Sequence, residues 1–147
     1  MALPTEPGPP SPKERRAARI VVAEDDFEMR RLVADCLRKD GHEVQEVADG
    51  AGLLLHVENA FFLNQVSVPV DLFVTDIRMP LYTGIEIVRG LRDAGLFTPV
   101  VIMTAFGNAE SRADAHALGA TLLDKPFKME QLRGAVDRLL RQVQNED

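Results

Sequence analysis

Cysteine is nearly absent from this chain of 147 residues: Cys36 stands alone. A single thiol excludes an intrachain disulfide and fits a reducing compartment. Cys36 falls on one helical stripe with Met29, Leu32, Val33 and Leu37, and free cysteine packs as a small apolar side chain, so a core position is expected. No apolar run reaches the length of a membrane span, and no secretory signal pattern opens the chain. A cytoplasmic protein with no membrane partner is the expectation. Positive charge is not in excess either. The formal charge of -6 argues against direct nucleic-acid binding through the phosphate backbone. No glycine-rich phosphate loop with a lysine follows the first strand-like run, which speaks against a nucleotide-binding enzyme. What remains, 46% hydrophobic and 27% charged residues, suits one soluble domain with one core.

Residues 1–18 read as a flexible tail. Pro4, Pro7, Pro9, Pro10 and Pro12 exclude helix and central strand, and Lys13, Arg15 and Arg16 make the segment basic. A folded domain is expected over 19–142, with a short tail at 143–147. Within it, Arg19–Ala23 is a buried strand, and a helix over 27–39 stops at Asp40-Gly41. His42–Val47 alternates as a strand, with Val44 and Val47 apolar. The helix starting near Ala51 is broadly apolar, with Leu53, Leu54, Val57 and Phe61 on one face and Leu55, Phe62 and Leu63 beside it. Extra core is one reading of this long segment and a partner-binding patch the other. Val70–Asp76 is a third strand, closed soon after by Pro80. A helix over 84–94 stops at Gly95, and 98–105 is a fourth strand. Asn108 can cap a fourth helix, which has Ala109, Ala113 and Ala117 on one face and stops at Gly119. Thr121–Asp124 is a fifth strand, and a helix over 129–142 closes the pattern.

Five strand–helix units imply a parallel sheet with helices on both faces. Right-handed crossovers bring every strand's C-terminal end to the same edge. Glu24 and Asp25 end the first strand, Asp76 the third, Thr104 the fourth and Lys125 the fifth. Carboxylates gathered at one place repel unless a cation neutralises them. Oxygen ligands without histidine or cysteine suit a hard ion, Mg²⁺ or alternatively Mn²⁺, and His42, His56 and His116 fall elsewhere, so zinc is not expected. A carboxylate beside such an ion can attack phosphorus, with a lysine and a hydroxyl to neutralise the phosphoryl oxygens. No strong base stands by to activate a hydroxyl substrate. The pattern is that of an acceptor rather than a hydrolase.

Val21-Val22-Ala23-Glu24-Asp25-Asp26 with Arg30, Asp76-Ile77-Arg78-Met79-Pro80 with Gly84, Val101-Ile102-Met103-Thr104-Ala105, and Lys125-Pro126-Phe127 occur in this order. Together they resemble the receiver domain of two-component response regulators, over about Ala18 to Arg141. The resemblance implies a flavodoxin-like, doubly wound α/β fold, (βα)₅, with strand order 2-1-3-4-5. It implies that Asp76 accepts a phosphoryl group from a sensor histidine kinase or a histidine phosphotransfer protein. Asp25, Asp76 and the Arg78 backbone carbonyl would bind Mg²⁺ directly, and Glu24 through water. A shift of one residue would select Asp25 and Asp26 as the acidic pair instead. Lys125, before a cis proline, Thr104 and the Ala105 amide would contact the phosphoryl group. Such a domain catalyses its own phosphotransfer and dephosphorylation and is not a conventional enzyme. Its output would be a conformational change at the face of the fourth helix, fifth strand and fifth helix, read by a downstream protein or by a second copy.

Departures from the family pattern lie on the output side. Leu122 stands where an aromatic usually pairs with the threonine in the switch, and the loop 119–121 looks one residue short. Arg78 and Phe106 flank the path of an attacking water and would slow phosphoryl loss. The chain ends just after the fifth helix, so a stand-alone receiver, or one cut from a longer protein, is expected. The competing reading is a pseudo-receiver that never carries phosphate and acts as an interaction scaffold. A Mg²⁺-dependent aspartyl phosphatase would want an acid two residues after its nucleophile, where Arg78 stands.

Overall fold

Five short apolar runs become five parallel strands in one sheet, ordered β2-β1-β3-β4-β5. The structure, a computed structural model, describes residues 17–62, 70–79, 82–105 and 108–145, of which 57–62 and 143–145 are described by their backbone alone. The strands are β1 (Arg19–Ala23), β2 (Glu43–Val47), β3 (Leu72–Asp76), β4 (Val100–Thr104) and β5 (Thr121–Asp124). Helices α1 (Phe27–Lys39), α2 (Gly50–Phe62), α3 (Gly84–Asp93), α4 (Ala109–Ala117) and α5 (Met129–Asn145) alternate with them. This is the doubly wound, flavodoxin-like order. Every residue of β3 and β4 is buried, which is why these two runs carry no polar alternation.

Strand side chains alternate between two cores. Val21, Ala23, Phe73 and Ile102 pack with Leu53 of α2 and with Ile87, Val88 and Leu91 of α3. Ile20, Val22, Val74 and Met103 pack on the other face with Val33 and Leu37 of α1 and Leu132 and Val136 of α5. Cys36 is buried as expected. The helix stops at Gly41, Gly95 and Gly119 all have positive φ, a conformation open to glycine without a Cβ penalty.

On α4 the buried residue is Ala115, while Ala109, Ala113 and Ala117 face solvent. Alanines four apart mark a face without saying which side it takes, and contact with Leu118 and the β4 side of the sheet selects Ala115. Leu32, placed on the inner stripe of α1, is 52% exposed. The inner stripe runs through Val33, Ala34, Cys36 and Leu37 instead. On α2, Leu53 is buried and Leu55 is exposed. Residues 1–16 of the proline-rich tail, Leu63, Pro80 and Phe106 lie outside the described residues, as do the side chains of Val57, Phe61 and Phe62, whereas Ala18, read as the end of the tail, is buried in the α1/α5-side core. Helix α5 runs to Asn145, three residues past its expected end.

Gly84 lets α3 start hard against the end of β3. A Cβ there would lie 2.6 Å from the Asp76 carbonyl oxygen and 3.2 Å from Thr75 Cγ2. Gly90, in the same helix, has open space around it. Gly84→Ala is therefore expected to lower stability by about 1–3 kcal/mol, seen as a lower urea midpoint. Gly90→Ala should instead add about 0.5–1 kcal/mol, because it only relieves the cost of glycine in a helix interior.

Candidate functional site

Strand register decides which side chains meet. Ala23 pairs with Thr75, so Glu24 lies one step beyond, beside Asp76. Thr104 pairs with Asp124, so Lys125 lies one step beyond that pair. Its backbone N–H donates to the Thr104 carbonyl at 2.7 Å. The Lys125–Pro126 peptide is cis. All five chemistry-bearing residues thus arrive at the C-terminal edge of the sheet, where such folds place their ligands.

Glu24, Asp25 and Asp76 each present a carboxylate oxygen within 4.8 Å of the others. Asp26 takes no part. It is the N-cap of α1, and its side chain accepts from the Glu28 N–H at 3.2 Å. Of the two pairings left open in the sequence, the geometry brings Glu24 and Asp25 to Asp76. Lys125 Nζ donates to Glu24 Oε1 at 2.8 Å and to Asp76 Oδ2 at 3.1 Å. The Arg78 N–H donates to Asp76 Oδ1 at 3.2 Å, leaving the exposed Arg78 side chain outside this contact. Thr104 is fully buried at the end of β4, Ala105 is exposed beside it, and Leu122 is half-buried against the α3-side core. Thr75, which nothing in the sequence singled out, donates its hydroxyl to the Asp76 carbonyl at 3.0 Å. A hydroxyl inside an otherwise apolar buried strand was its only signal.

Glu24 is only 1% exposed, and its Oε2 is buried with no donor facing it. An ionised carboxylate so placed is costly unless a cation completes it. Burial, and then a hydrogen bond to Asp76, push the Glu24 carboxyl up to about 7 against the pull of Lys125. In the protonated form it can donate to Asp76. Burial also works to raise Asp76, but hydrogen bonds from Glu24, the Arg78 N–H and Lys125 outweigh it and hold Asp76 below its ordinary value. Lys125 is lowered by burial and raised more by its two carboxylate partners, with a net upward shift. One buried acid thus holds a proton near neutrality while its neighbour stays ionised. A vacant oxygen, three converging acids and no histidine or cysteine fit a hard divalent cation.

The family model described as the response regulator receiver domain matches residues 20–137. The chain is 36% identical over 126 residues to the Response regulator protein PmrA of Pseudomonas aeruginosa, covering 85% of this chain and 53% of that protein. It is 32% identical over 124 residues to the Transcriptional regulatory protein CiaR of Streptococcus pneumoniae, covering 84% and 51%. The chain thus spans about half the length of these curated relatives. Among solved structures, the chemotaxis protein CheY4 of Vibrio cholerae superposes with a TM-score of 0.71 at 29% identity, covering 84% of this chain and 99% of that one. A receiver domain protein of Methanospirillum hungatei superposes with a TM-score of 0.79, covering 90% and 100%; at 21% identity it speaks for the fold alone.

The Glu24 proton has a measurable signature without metal. A carboxyl whose folded pKa lies above its unfolded value binds more protons when folded. Its contribution to stability is complete below the model-compound value of 4.5 and is lost as pH rises through about 7. In EDTA, lowering the pH from about 8 to about 6 should gain about 1 kcal/mol in urea unfolding through this group. Glu24→Gln should flatten that part of the slope, and the difference between the two proteins cancels the histidines.

Proposed function

The chain belongs to the response regulator receiver domain family, and from that membership we propose that Asp76 accepts a phosphoryl group from a phosphohistidine. The donor is a sensor histidine kinase or a histidine phosphotransfer protein. An Asp76 carboxylate oxygen attacks phosphorus, the N–P bond breaks, and the imidazole leaves with its electron pair and takes up a proton. The product is an acyl phosphate on Asp76. The observation that carries this reading is the Asp76 carboxylate, ionised at the open sheet edge, within reach of Glu24 and Asp25 and 3.1 Å from Lys125.

Asp25, Asp76 and the Arg78 carbonyl are the residues assigned to Mg²⁺ or Mn²⁺, with Glu24 beside them. When bound, the ion supplies charge neutralisation for the phosphoryl oxygens. The remaining work falls to the chain. Lys125, already poised between Glu24 and Asp76, turns its ammonium to the phosphoryl group. The Thr104 hydroxyl and the Ala105 N–H donate to its other oxygens. Drawing Thr104 toward the phosphoryl group vacates space beside Leu122, and the equilibrium between two arrangements of the edge shifts. The readout surface is the α4–β5–α5 face, where Arg112 and Asp124 are ion-paired at 2.7 Å. A downstream protein or a second copy of the chain binds there. Direct binding of nucleic acid by this segment is not part of the reading. No described helix is long and apolar enough to cross a membrane, and the cytoplasm is the assigned compartment.

Intact-mass measurement after incubation with Mg²⁺ and a small acyl-phosphate donor tests the proposal. One phosphoryl adduct is expected on the wild type, none on Asp76→Asn, and none in EDTA. An adduct that persists on Asp76→Asn, or a wild type that stays unmodified with both Mg²⁺ and Mn²⁺, overturns it in favour of the scaffold reading. Lys125→Ala is expected to slow adduct formation by about 10²-fold or more, as for loss of one preorganised donor.

A further inference from the structure

The turn that carries Glu24 and Asp25 is held from its outer side. The Glu24 N–H donates to the Val47 carbonyl of β2 at 3.2 Å. The Glu24 carbonyl accepts from Arg30 Nη1 at 2.8 Å. Arg30 Nε in turn lies 3.4 Å from Glu46 Oε1, and Glu46 precedes Val47 in the chain. These contacts close a circuit from Glu24 to the edge strand, along one residue of it, and back through a guanidinium. The Phe27 ring lies under that guanidinium, 5.4 Å from its carbon.

Glu46 is itself fixed. Its Oε2 lies 3.0 Å from both Arg31 Nη1 and Arg38 Nη1. Arg38 also donates Nη2 to the Val44 carbonyl at 3.0 Å. The carboxylate therefore divides its oxygens: one faces Arg30, and the other is held by two cations on the same helix. The side chains of Arg30 and Glu46 are 14% and 15% exposed. Ion pairs this sheltered are screened far less than surface pairs.

A peptide unit is planar, so pinning the N–H and the carbonyl of Glu24 fixes its backbone and the plane it shares with Asp25. Two of the three acids of the metal site, Glu24 and Asp25, hang from that plane. We infer that Arg30 is a positioning residue for the divalent-cation site, with Glu46 as its anchor on β2; this rests on the metal reading of Glu24 and Asp25 proposed above. Arg30 touches neither Asp25 nor Asp76 in the described contacts and acts through the backbone of Glu24.

Charge and positioning predict opposite signs. A cation near a divalent ion opposes its binding, so removing Arg30 for electrostatic reasons alone would tighten Mg²⁺. Loss of positioning would weaken it.

The test is calorimetric titration of the full chain with Mg²⁺ alone, for the wild type, Arg30→Met and Arg30→Lys. Amide hydrogen exchange in EDTA is followed beside it. Arg30→Met is expected to raise the Mg²⁺ Kd about tenfold, as loss of an outer-shell partner commonly does. Asp25 and Asp26 amides should exchange faster while those of Ile102 and Met103 do not. Arg30→Lys should fall between, because an ammonium keeps the charge but lacks the planar fork that reaches two acceptors. If Arg30→Met fails to fold, Arg30→Lys decides. Mg²⁺ binding at wild-type strength or tighter in the folded variants, with or without a lower Tm, overturns the inference. A wild type that binds no Mg²⁺ overturns the metal reading itself and this inference with it, whereas wild-type binding that the variants retain overturns the inference alone.

Discussion

Acids of one sign do not gather unpaired in a protein interior, and the contact that lets them do so here is the double hydrogen bond of Lys125. It reaches Glu24 across 101 residues of sequence and Asp76 across 49. The sheet order follows from the same need. Were β5 not to follow β4, and β4 not to follow β3, the ammonium would not arrive over the mouth between β1 and β3. The topology is often described as a way to bury apolar strands. In this molecule it is equally a way to deliver one positive charge to two buried or half-buried acids. Breaking such a pair from one side leaves an uncompensated charge, which is more costly than never having built it.

The other end of the sheet shows a cation used differently. Arg92 donates to the carbonyls of Leu96, Thr98 and Leu118 at 2.8–3.0 Å. Its partners are neutral, fixed backbone groups that close the loops after α3 and α4. Lys125 faces two titratable acids, one of them able to hold a proton near neutrality. An arginine committed to three carbonyls has no second state to move to. A lysine shared between two acids has one wherever a new anion arrives. The two edges of the sheet thus divide into a closed end and a responsive end.

Much of this was readable in the sequence, for identifiable reasons. Strands β1, β3 and β4 are apolar runs cut off by a polar residue, and the glycine stops Gly41, Gly95 and Gly119 all sit where the chain needs positive φ. The edge residues follow from chain order alone, because parallel strands leave no choice about which end collects their C-termini. What could not be read was anything depending on contrast or on register. The alanines of α4 carry too little contrast to choose a side, and Leu32 sits one position from a stripe that did not need it. The choice between Asp25 with Glu24 and Asp25 with Asp26 required knowing that Asp26 caps α1. The partnership of Arg30 with Glu46 depends on pairing β1 beside β2 at one particular register, in which Val22 faces Glu46.

Helix α4 rests on its sheet through one buried methyl group, Ala115, with three other alanines turned outward. By contrast α3 buries Ile85, Ile87, Val88 and Leu91. An element with so little apolar surface to lose is cheap to displace. Softness sets the gain of a signal. Where two placements of a helix differ by only about 1.4 kcal/mol, their ratio is tenfold, and a single new hydrogen bond at the sheet edge, worth about 0.5–1.5 kcal/mol, is enough to bring them toward parity. A better-packed α4 would make a more stable protein and, under the proposed function, a deafer one.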